Sequence, residues 1–394
     1  MELSRKYSQI TPSVTLAISA KAKKMKSEGI DVISFSVGEP DFRTPENIRK
    51  RAIEAIEKDD IGYTAASGMP ALKKAIVDKL KRENNLSYEE DQIVVSNGGK
   101  HSLTNVIEAI SNPEDEIIVP CPYWVSYPEM VKMAGAKVVF SSCPEENDFK
   151  YDLDKLKEAI TDNTKALILN SPSNPAGAVY SKEELQVIGD LAVKHDFFII
   201  SDEIYEKLVY GDEKHISIAS LSDEIKERTI VMNGMAKAYA MTGWRIGYTA
   251  SNKTLAKMMS NIQSHATSNP NTIAQYASIE GLSGSQASIE AMRKEFEERR
   301  GIMHKLINDI PGLKARMPKG AFYMMVNIEG YLNTGVEGKS FKDSIEFADY
   351  VLEKANVALV PGIAFGDDRY VRLSYATSVE KIEEGLNRIK TLLG

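Results

Sequence analysis

Residues 164–203, TKALILNSPSNPAGAVYSKEELQVIGDLAVKHDFFIISDE, contain the pattern that decides the fold. The apolar runs KALILN and FFIISDE are short and nearly continuous, which is typical of strands buried on both faces. Between them lies SKEELQVIGDLAVKHD, an amphipathic helix that a capping box of Ser181 and Glu184 would open. This order of strand, helix and strand predicts two parallel strands joined by a helical crossover.

The same alternation extends from residue 45 to about residue 250. The strands DQIVVSN, DEIIVP, AKVVFSS and RTIVMNG alternate with helices such as GGKHSLTNVIEAI. An earlier helix, TPENIRKRAIEAIEK, has Thr44 as its expected N-cap and Pro45 at its first helical position. The pattern predicts an α/β fold whose large domain contains a mostly parallel sheet covered by helices on both faces.

After about residue 250 the pattern changes to that of an α+β domain. Helices come first and end in the long, charged SQASIEAMRKEFEERRGIMHKLINDI, which we expect to bridge two domains. Short strands such as AFYMMVNI and YVRLSYA then alternate with helices. We therefore predict an N-terminal arm with part of the small domain over residues 1–44, a large domain over 45–284 and a small C-terminal domain over 285–394.

Composition excludes several classes of function. The chain has 394 residues, 43% hydrophobic and 27% charged, as in an ordinary globular protein. Its net charge of −7 argues against nucleic acid as a partner, and its longest apolar runs are too short for a membrane span. The start, MELSRKYSQITPS, lacks the apolar core of a signal peptide. Two cysteines, Cys121 and Cys143, make neither a disulfide framework nor a metal cluster. We predict a cytoplasmic protein without a metal.

The residues that follow the predicted strands suggest a binding site, because ligands of parallel α/β sheets lie beyond the carboxyl ends of the strands. Each residue alone has a structural explanation: a tight turn, an N-cap, a turn starter or a cation whose stem is buried. Val94 stands where a Walker loop needs glycine, and no G-x-G-x-x-G follows the first strand. The residues at this edge are Gly98, Gly99, Lys100, Asn174, Asp202, Tyr205 and Lys237.

One ligand would use the whole set. A phosphate needs a helix N-terminus and a forked cation, a pyridinium nitrogen needs a carboxylate, and an aldehyde needs a lysine. A phenolate oxygen needs donors, and an aromatic ring needs a flat partner. Pyridoxal 5′-phosphate carries all these groups, and the matching residues are Gly99, Lys100 and Arg245 for the phosphate, Asp202 for the nitrogen, Tyr205 and Asn174 for the phenolate, Lys237 for the aldehyde and Trp124 for the ring.

With these residues in place, the chain resembles the class I (fold type I) pyridoxal-phosphate aminotransferases, and it is most similar to their bacterial aspartate/prephenate branch. The likeness runs from about residue 12 to the C-terminus, with the motifs in the family's order. The motifs are GEPDF (38–42), SPSNPAG (171–177), SDEIY (201–205), NGMAKAYAMTGWRIGY (233–248) and VRLSYA (371–376).

The resemblance implies that the mostly parallel sheet of the large domain has seven strands, and it also implies a role for each site residue. Lys237 would form the Schiff base and move the proton, and the other cofactor contacts would be those named above. It also implies a homodimer with shared active sites, in which Tyr63 of the neighbouring subunit helps to bind the phosphate. Arg372 would take the substrate α-carboxylate, assisted by Gly38, Asn174 and Trp124. Many members have a phosphate-binding Ser or Thr where this chain has Gly234.

For the substrate's distal carboxylate, the same branch uses the lysine of the Gly-Gly-Lys turn, here Lys100, with Ser13 and Thr15. The resemblance therefore implies an aspartate aminotransferase that transfers the amino group of L-aspartate to 2-oxoglutarate by a ping-pong reaction, with prephenate as a further oxo acid. One alternative is an aromatic- or alanine-preferring aminotransferase, in which Lys100 only supports the phosphate. Another is a non-catalytic regulatory or binding protein on the same fold, which would often lack Lys237 or Arg372.

Overall fold

The structure is a computed structural model that describes residues 4, 7–336 and 340–394. Residues 1–3 and 5–6 of the predicted N-terminal arm lie outside the described residues. The helices are α1 Val14–Ser27, α2 Glu46–Glu57, α3 Pro70–Asn84, α4 Gly99–Ile110, α5 Ser126–Ala134, α6 Leu153–Ala159, α7 Lys182–His195, α8 Asp223–Arg228, α9 Lys253–Ala266, α10 Thr272–Ser283, α11 Ala287–Asn308, α12 Glu329–Thr334, α13 Ser344–Ala355 and α14 Val379–Leu393. The strands are β1 Ile33–Ser34, β2 Ile93–Ser96, β3 Glu116–Cys121, β4 Lys137–Ser142, β5 Thr164–Asn170, β6 Phe198–Asp202, β7 Thr229–Gly234, β8 Gly247–Ala250, β9 Lys314–Ala315, β10 Tyr323–Asn327, β11 Val357–Ala358, β12 Val360–Pro361 and β13 Tyr370–Ser374.

Within the described residues, the large sheet has seven strands in the order β2-β8-β7-β6-β5-β3-β4. The neighbours from β7 to β4 run parallel, whereas β8 runs antiparallel to both β2 and β7. The predicted mostly parallel, seven-stranded sheet is thus confirmed. β8, which follows Trp244 and Arg245, was not among the predicted strands.

The apolar runs of β5 and β6 are continuous because both faces of the sheet are covered. Ile168 and Ile200 pack with Val106 of α4 on one face. Leu167 and Leu169 point to the opposite face, where they pack with helix α7. Successive residues of a strand point to opposite faces, so a strand covered on both sides needs apolar residues at every position. This packing fixes the carboxyl ends of β5, β6 and β7 next to one another.

The predicted start of α7 is confirmed, whereas the predicted N-cap of α2 is wrong. The capping box of α7 is present, since Ser181 Oγ accepts from Glu184 N at 3.3 Å and Glu184 Oε2 accepts from Ser181 N at 2.8 Å. The N-cap predicted at Thr44 is wrong, because Pro45 occupies that position. The Thr44 hydroxyl instead donates to Ala240 O at 2.7 Å, and it thereby ties this turn to the loop after β7.

A smaller antiparallel sheet, β12-β13-β10-β9, lies in the C-terminal part of the chain. Helix α11 links its core to that of the large sheet, because Ile289 and Met292 near its start pack in one core and Met303 and Ile307 near its end pack in the other. The predicted domain boundary at residue 285 stays a prediction.

Two further observations concern the whole chain. In the ranges that the structure describes, no helix combines the length and apolar character needed to cross a bilayer. Cys121 and Cys143 are both free thiols, and Cys143 is buried.

Candidate active site

A cavity of about 490 Å³ opens at the carboxyl edge of the large sheet. The smaller sheet and α1 close its other side, through Arg372 of β13, Tyr323 of β10 and the polar face of α1. The predicted site residues that line this cavity are Ser13, Thr15, Gly38, Gly99, Lys100, Trp124, Asn174, Asp202, Tyr205, Lys237, Arg245 and Arg372. Tyr63 is outside it, and its side chain is 95% exposed on this chain.

Lys237 follows β7 and lines the cavity. Its Nζ donates to Gly38 O at 2.6 Å and lies 5.8 Å from the ring centres of Tyr205 and Phe322. Burial and, to a smaller extent, the nearby positive charge of Arg372 lower the pKa of Lys237 to about 8. A lysine in this state is neutral far more often than an ordinary one, so its amine can act as a nucleophile or a base near neutral pH.

Asp202 is the last residue of β6 and is buried at the floor of the cavity. Its Oδ2 accepts a hydrogen bond from the Tyr127 hydroxyl at 2.7 Å, and its Oδ1 accepts from Ile204 N at 3.2 Å. Burial raises the pKa of Asp202 to about 6, although the Tyr127 hydroxyl opposes this shift by stabilising the ionised form. A buried carboxylate of this kind favours a cationic partner in the cavity.

Arg372 lies in the middle of β13 and is 3% exposed. Its Nη1 donates to Asn174 Oδ1 at 2.9 Å and its Nη2 donates to Ser36 O at 3.3 Å. Its buried Nε has no hydrogen-bond partner, and no described carboxylate forms an ion pair with the guanidinium. A buried guanidinium with an unsatisfied donor and no counter-charge is arranged to receive an anion.

The start of α4 forms a second anion-binding region. Gly98 has a φ of +86°, and a Cβ there would lie 2.3 Å from Arg245 Nη2. A Cβ on Gly247 would lie 2.4 Å from Gly99 N, so the backbone here has no room for side chains. Bare backbone N–H groups at a helix N-terminus and the Arg245 guanidinium suit a phosphate. Arg245 itself donates to Thr242 O at 2.9 Å and is held in place by that loop.

Gly234, where many members of the resembling family have a hydroxyl, has no room for a side chain in this structure. A Cβ at this position would lie 2.8 Å from Ile246 O and 2.9 Å from Gly247 Cα, both of which are backbone atoms of the neighbouring segment. This chain therefore lacks the phosphate contact of a Ser or Thr at this position, and a side chain here would require the facing backbone segments to move apart.

Lys100 and the start of α1 also line the cavity. Lys100 Nζ lies 5.2 Å above the ring of Trp124, and burial together with Arg245 lowers the pKa of Lys100. Ser13 is the N-cap of α1, and its Oγ lies 2.9 Å from Thr15 Oγ1. These hydroxyls and the ammonium line the same cavity as Arg372.

Sequence reasoning missed several residues of the cavity wall, among them Tyr127, Tyr323 and Lys23. Tyr127 lies in α5, and the sequence does not show which face of this helix is turned towards the cavity. Tyr323 lies on β10 opposite Ser374, and its hydroxyl lies 3.0 Å from that of Tyr205. Since residues paired across strands share a face, the pairing of β10 with β13 would have placed Tyr323 beside Arg372. Lys23 follows Thr15 by about two helical turns on α1, so the two residues lie on the same face of the helix. Once Thr15 is placed in the cavity, this spacing predicts that Lys23 lines it too.

Comparison with known proteins gives one family. Residues 30–389 match the model of aminotransferase class I and II. The chain is 47% identical to an aspartate aminotransferase of Bacillus subtilis, covering 99% of this chain and 98% of that one. It is 45% identical to an aspartate/prephenate aminotransferase of Nitrosomonas europaea, over the full length of both. Its fold matches the crystal structure of an aspartate aminotransferase from Rhizobium meliloti with a TM-score of 0.96 at 41% identity, over 100% of this chain and 99% of that one.

Proposed function

The chain belongs to the class I and II aminotransferases, and from this premise we propose that it is an aspartate aminotransferase. In this proposal it transfers the amino group of L-aspartate to 2-oxoglutarate with pyridoxal 5′-phosphate as cofactor, and it accepts prephenate as a further oxo acid. The proposal agrees with the names of the two relatives above, which are aspartate and aspartate/prephenate aminotransferases.

The charge of the cavity is the observation that carries the proposal. Among the described residues that line it, five side chains are basic and two are acidic, although the whole chain has a net charge of −7. Such a cavity favours ligands with several negative charges, because basic groups collected in a cleft raise the local concentration of anions. A phosphorylated cofactor together with a dicarboxylic substrate would supply these charges. The basic residues are Lys23, Lys100, Lys237, Arg245 and Arg372, and the acidic ones are Glu39 and Asp202.

The residues present fit pyridoxal phosphate. The bare backbone at Gly98 and Gly99 and the guanidinium of Arg245 would hold the phosphate, in a cradle that any Cβ would fill. Asp202 would pair with the protonated ring nitrogen, Tyr205 and Asn174 would donate to the phenolate oxygen, and Trp124 would lie on the ring. When bound, the cofactor supplies an aldehyde for the amino group and an electron-withdrawing ring.

The protein's own groups bind the substrate and move its proton. Arg372 would bind the α-carboxylate through its fork, with its free Nε as one available donor. Lys237 would take the proton from the substrate Cα, a step for which a lysine with a pKa of about 8 is suited near neutral pH. Because Arg372 holds the α-carboxylate in place, transamination is favoured over loss of carbon dioxide. The presence of both Lys237 and Arg372 in one cavity argues against a non-catalytic relic.

Lys100 is the candidate for the distal carboxylate of aspartate, with Ser13 and Thr15 as neutral donors. A lysine is a flexible point charge, so it can follow carboxylates at different distances from the α-carbon. This flexibility is the reason to expect several acidic substrates, including the longer 2-oxoglutarate.

We also propose a homodimer with shared sites and a cytoplasmic location. Tyr63 is outside the cavity of its own chain and almost fully exposed, as a residue would be that contributes to the neighbouring subunit's site. Free Cys121 and Cys143 agree with a reducing compartment.

A nitrogen-transfer experiment tests the proposed reaction. The purified protein, supplied with pyridoxal phosphate, would be mixed with 2-oxoglutarate and either ¹⁵N-aspartate, ¹⁵N-alanine or ¹⁵N-phenylalanine. We expect labelled glutamate to form fastest from aspartate. Faster label transfer from alanine or phenylalanine would support the alternative specificities, and no transfer from any donor would refute an aminotransferase.

A further inference from the structure

The segment Asp202–Glu206 has two faces. Asp202 and Tyr205 line the cavity, whereas the carboxylates of Glu203 and Glu206 are buried on the other side. Of the four ionisable side chains in these five residues, two thus face the cavity and two face the protein interior. Since these residues share one short stretch of backbone, contacts on the interior side fix the directions in which the cavity side can point.

Glu206 is held by α3. Its carboxylate pairs with the ammonium of Lys79, a residue that is 1% exposed, and its Oε2 accepts from Asn84 Nδ2 at 2.7 Å. Lys79 Nζ also donates to Asn84 Oδ1 at 2.7 Å, so each of the three side chains contacts the other two. Although burial alone would raise it, the charge of Lys79 lowers the pKa of Glu206 to about 2. The Glu206 carboxylate is therefore ionised although it is buried.

Glu203 is held from a different direction. It is 1% exposed, and its Oε1 accepts from Ser201 Oγ at 3.0 Å and from Ser217 Oγ at 2.6 Å. Its Oε2 lies 3.1 Å from His215 Nε2. The backbone of Glu203 is also bonded, since its N–H donates to Met232 O at 2.8 Å on the strand that leads to Lys237.

The two groups of contacts are adjacent. One ligand-type atom each from Glu203, Glu206 and His215 lies within 4.8 Å of the others, which is close enough to hold a cation. The ammonium of Lys79, already bonded to Glu206, supplies positive charge at this point. The cluster is thus an internal network of charged and polar groups, in which the Lys79 ammonium balances the Glu206 carboxylate.

We propose that Lys79, Asn84, Glu203, Glu206, His215 and Ser217, here called the anchor network, position Asp202 and Tyr205 for the cofactor. The proposal rests on the proposed function only in assuming that pyridoxal phosphate binds in the cavity. None of these residues lines the cavity, so all six are positioning residues that act through Asp202 and Tyr205. Loosening the anchor network should weaken cofactor binding more than it weakens folding.

The test compares two double variants in which an ion pair is replaced by amides of similar size. Lys79→Gln/Glu206→Gln neutralises the pair in the anchor network. Lys150→Gln/Glu184→Gln neutralises a partly buried pair that links the segment before α6 to the start of α7, and glutamine at position 184 can keep the capping box. Each protein is stripped of cofactor and titrated with pyridoxal phosphate to obtain its dissociation constant. Thermal unfolding of the stripped protein reports the effect on folding.

We expect the dissociation constant of pyridoxal phosphate to rise at least about tenfold in the network variant and by less than about twofold in the control. The visible circular dichroism of the bound cofactor should also change in the network variant, because the ring would be held differently. If both variants bind the cofactor like the wild type, or if the two lose affinity equally, the proposal is wrong.

A milder variant covers the case in which the double variant does not fold. Ser217→Ala removes one donor to Glu203 and keeps all charges, and it should raise the cofactor dissociation constant severalfold without a comparable loss of thermal stability. An unchanged constant in a folded Ser217→Ala protein would also overturn the proposal. Failure of the wild-type protein to bind pyridoxal phosphate would instead refute the proposed function, so the two failures are distinguishable.

Discussion

Tyr127→Phe should weaken cofactor binding by changing the protonation of Asp202. The Tyr127 side chain is 1% exposed and its hydroxyl lies 2.7 Å from Asp202 Oδ2, so the variant removes one buried hydrogen bond and leaves the ring in place. A hydrogen bond to a charged group contributes about 1.5–3 kcal/mol, which corresponds to roughly tenfold to 150-fold in affinity. The loss should fall on the ionised form of Asp202, because that form accepts the bond.

The sign of the pH dependence follows from the same bond. The hydroxyl lowers the pKa of Asp202, which burial has raised to about 6, so its removal must raise that pKa further. Ionised Asp202 is needed to pair with a protonated ring nitrogen, and this form predominates only above the pKa. Cofactor affinity should therefore be lost as the pH falls, and in Tyr127→Phe this loss should begin at a higher pH than in the wild type.

The assay is a titration of the cofactor-stripped protein with pyridoxal phosphate at a series of pH values from about 5.5 to about 8.5. Tyr151→Phe is the matched control, because it removes a buried hydroxyl that donates to Ile168 O at 2.7 Å, away from the cavity. We expect Tyr151→Phe to keep the wild-type profile. A Tyr127→Phe protein with the same affinity and the same pH profile as the control would refute the reasoning.

Three further predictions concern the cations of the cavity and the dimer. Arg372→Lys keeps the charge but loses the fork, so kcat/KM for aspartate should fall about tenfold to a hundredfold; an unchanged value in steady-state kinetics would count against α-carboxylate binding there. Because the pKa of Lys237 is about 8, the rate at which stripped protein captures pyridoxal phosphate, trapped with borohydride, should rise with pH and level off near that value. A rise that continues towards pH ~10 would indicate an ordinary lysine. In dimers that combine one Tyr63→Phe subunit with one Lys237→Ala subunit, the site that retains Lys237 should receive Tyr63 from its neighbour and regain wild-type cofactor affinity. If each site were built from a single chain, this site would bind the cofactor no better than the Tyr63→Phe homodimer does.

The large sheet could be predicted because its signals are local. In β5, α7 and β6, each apolar run, the capping box and the helix between them are visible in neighbouring residues, and they lead to one arrangement. β8 was missed because its antiparallel insertion between β2 and β7 depends on partners about 15 and 150 residues away along the chain. The N-cap at Thr44 was wrong because the hydroxyl bonds to Ala240, a residue that is distant in sequence.

The candidate site shows the same division between local and distant information. The rule for strand ends brought Asp202 and Lys237 to one edge, and the structure places both in the same cavity. Tyr127 and Tyr323 could not be chosen from sequence, since their positions depend on the rotation of α5 and on the pairing of β10 with β13. The anchor network was also invisible, because Lys79 comes from a helix more than a hundred residues before Glu206.

The central claim is that Arg372 and Lys100 together select a dicarboxylic amino acid. Its most direct test is a steady-state comparison of wild type with Lys100→Ala. The amino donors are aspartate, alanine and phenylalanine, each with 2-oxoglutarate held at one saturating concentration, and prephenate is then compared as an oxo acid. Removal of a charge-assisted contact of about 1.5–3 kcal/mol should lower kcat/KM for aspartate more than tenfold and leave the values for alanine and phenylalanine nearly unchanged. An equal decrease for all three donors would mean that Lys100 serves only the phosphate, and it would contradict the assignment of this residue to substrate recognition.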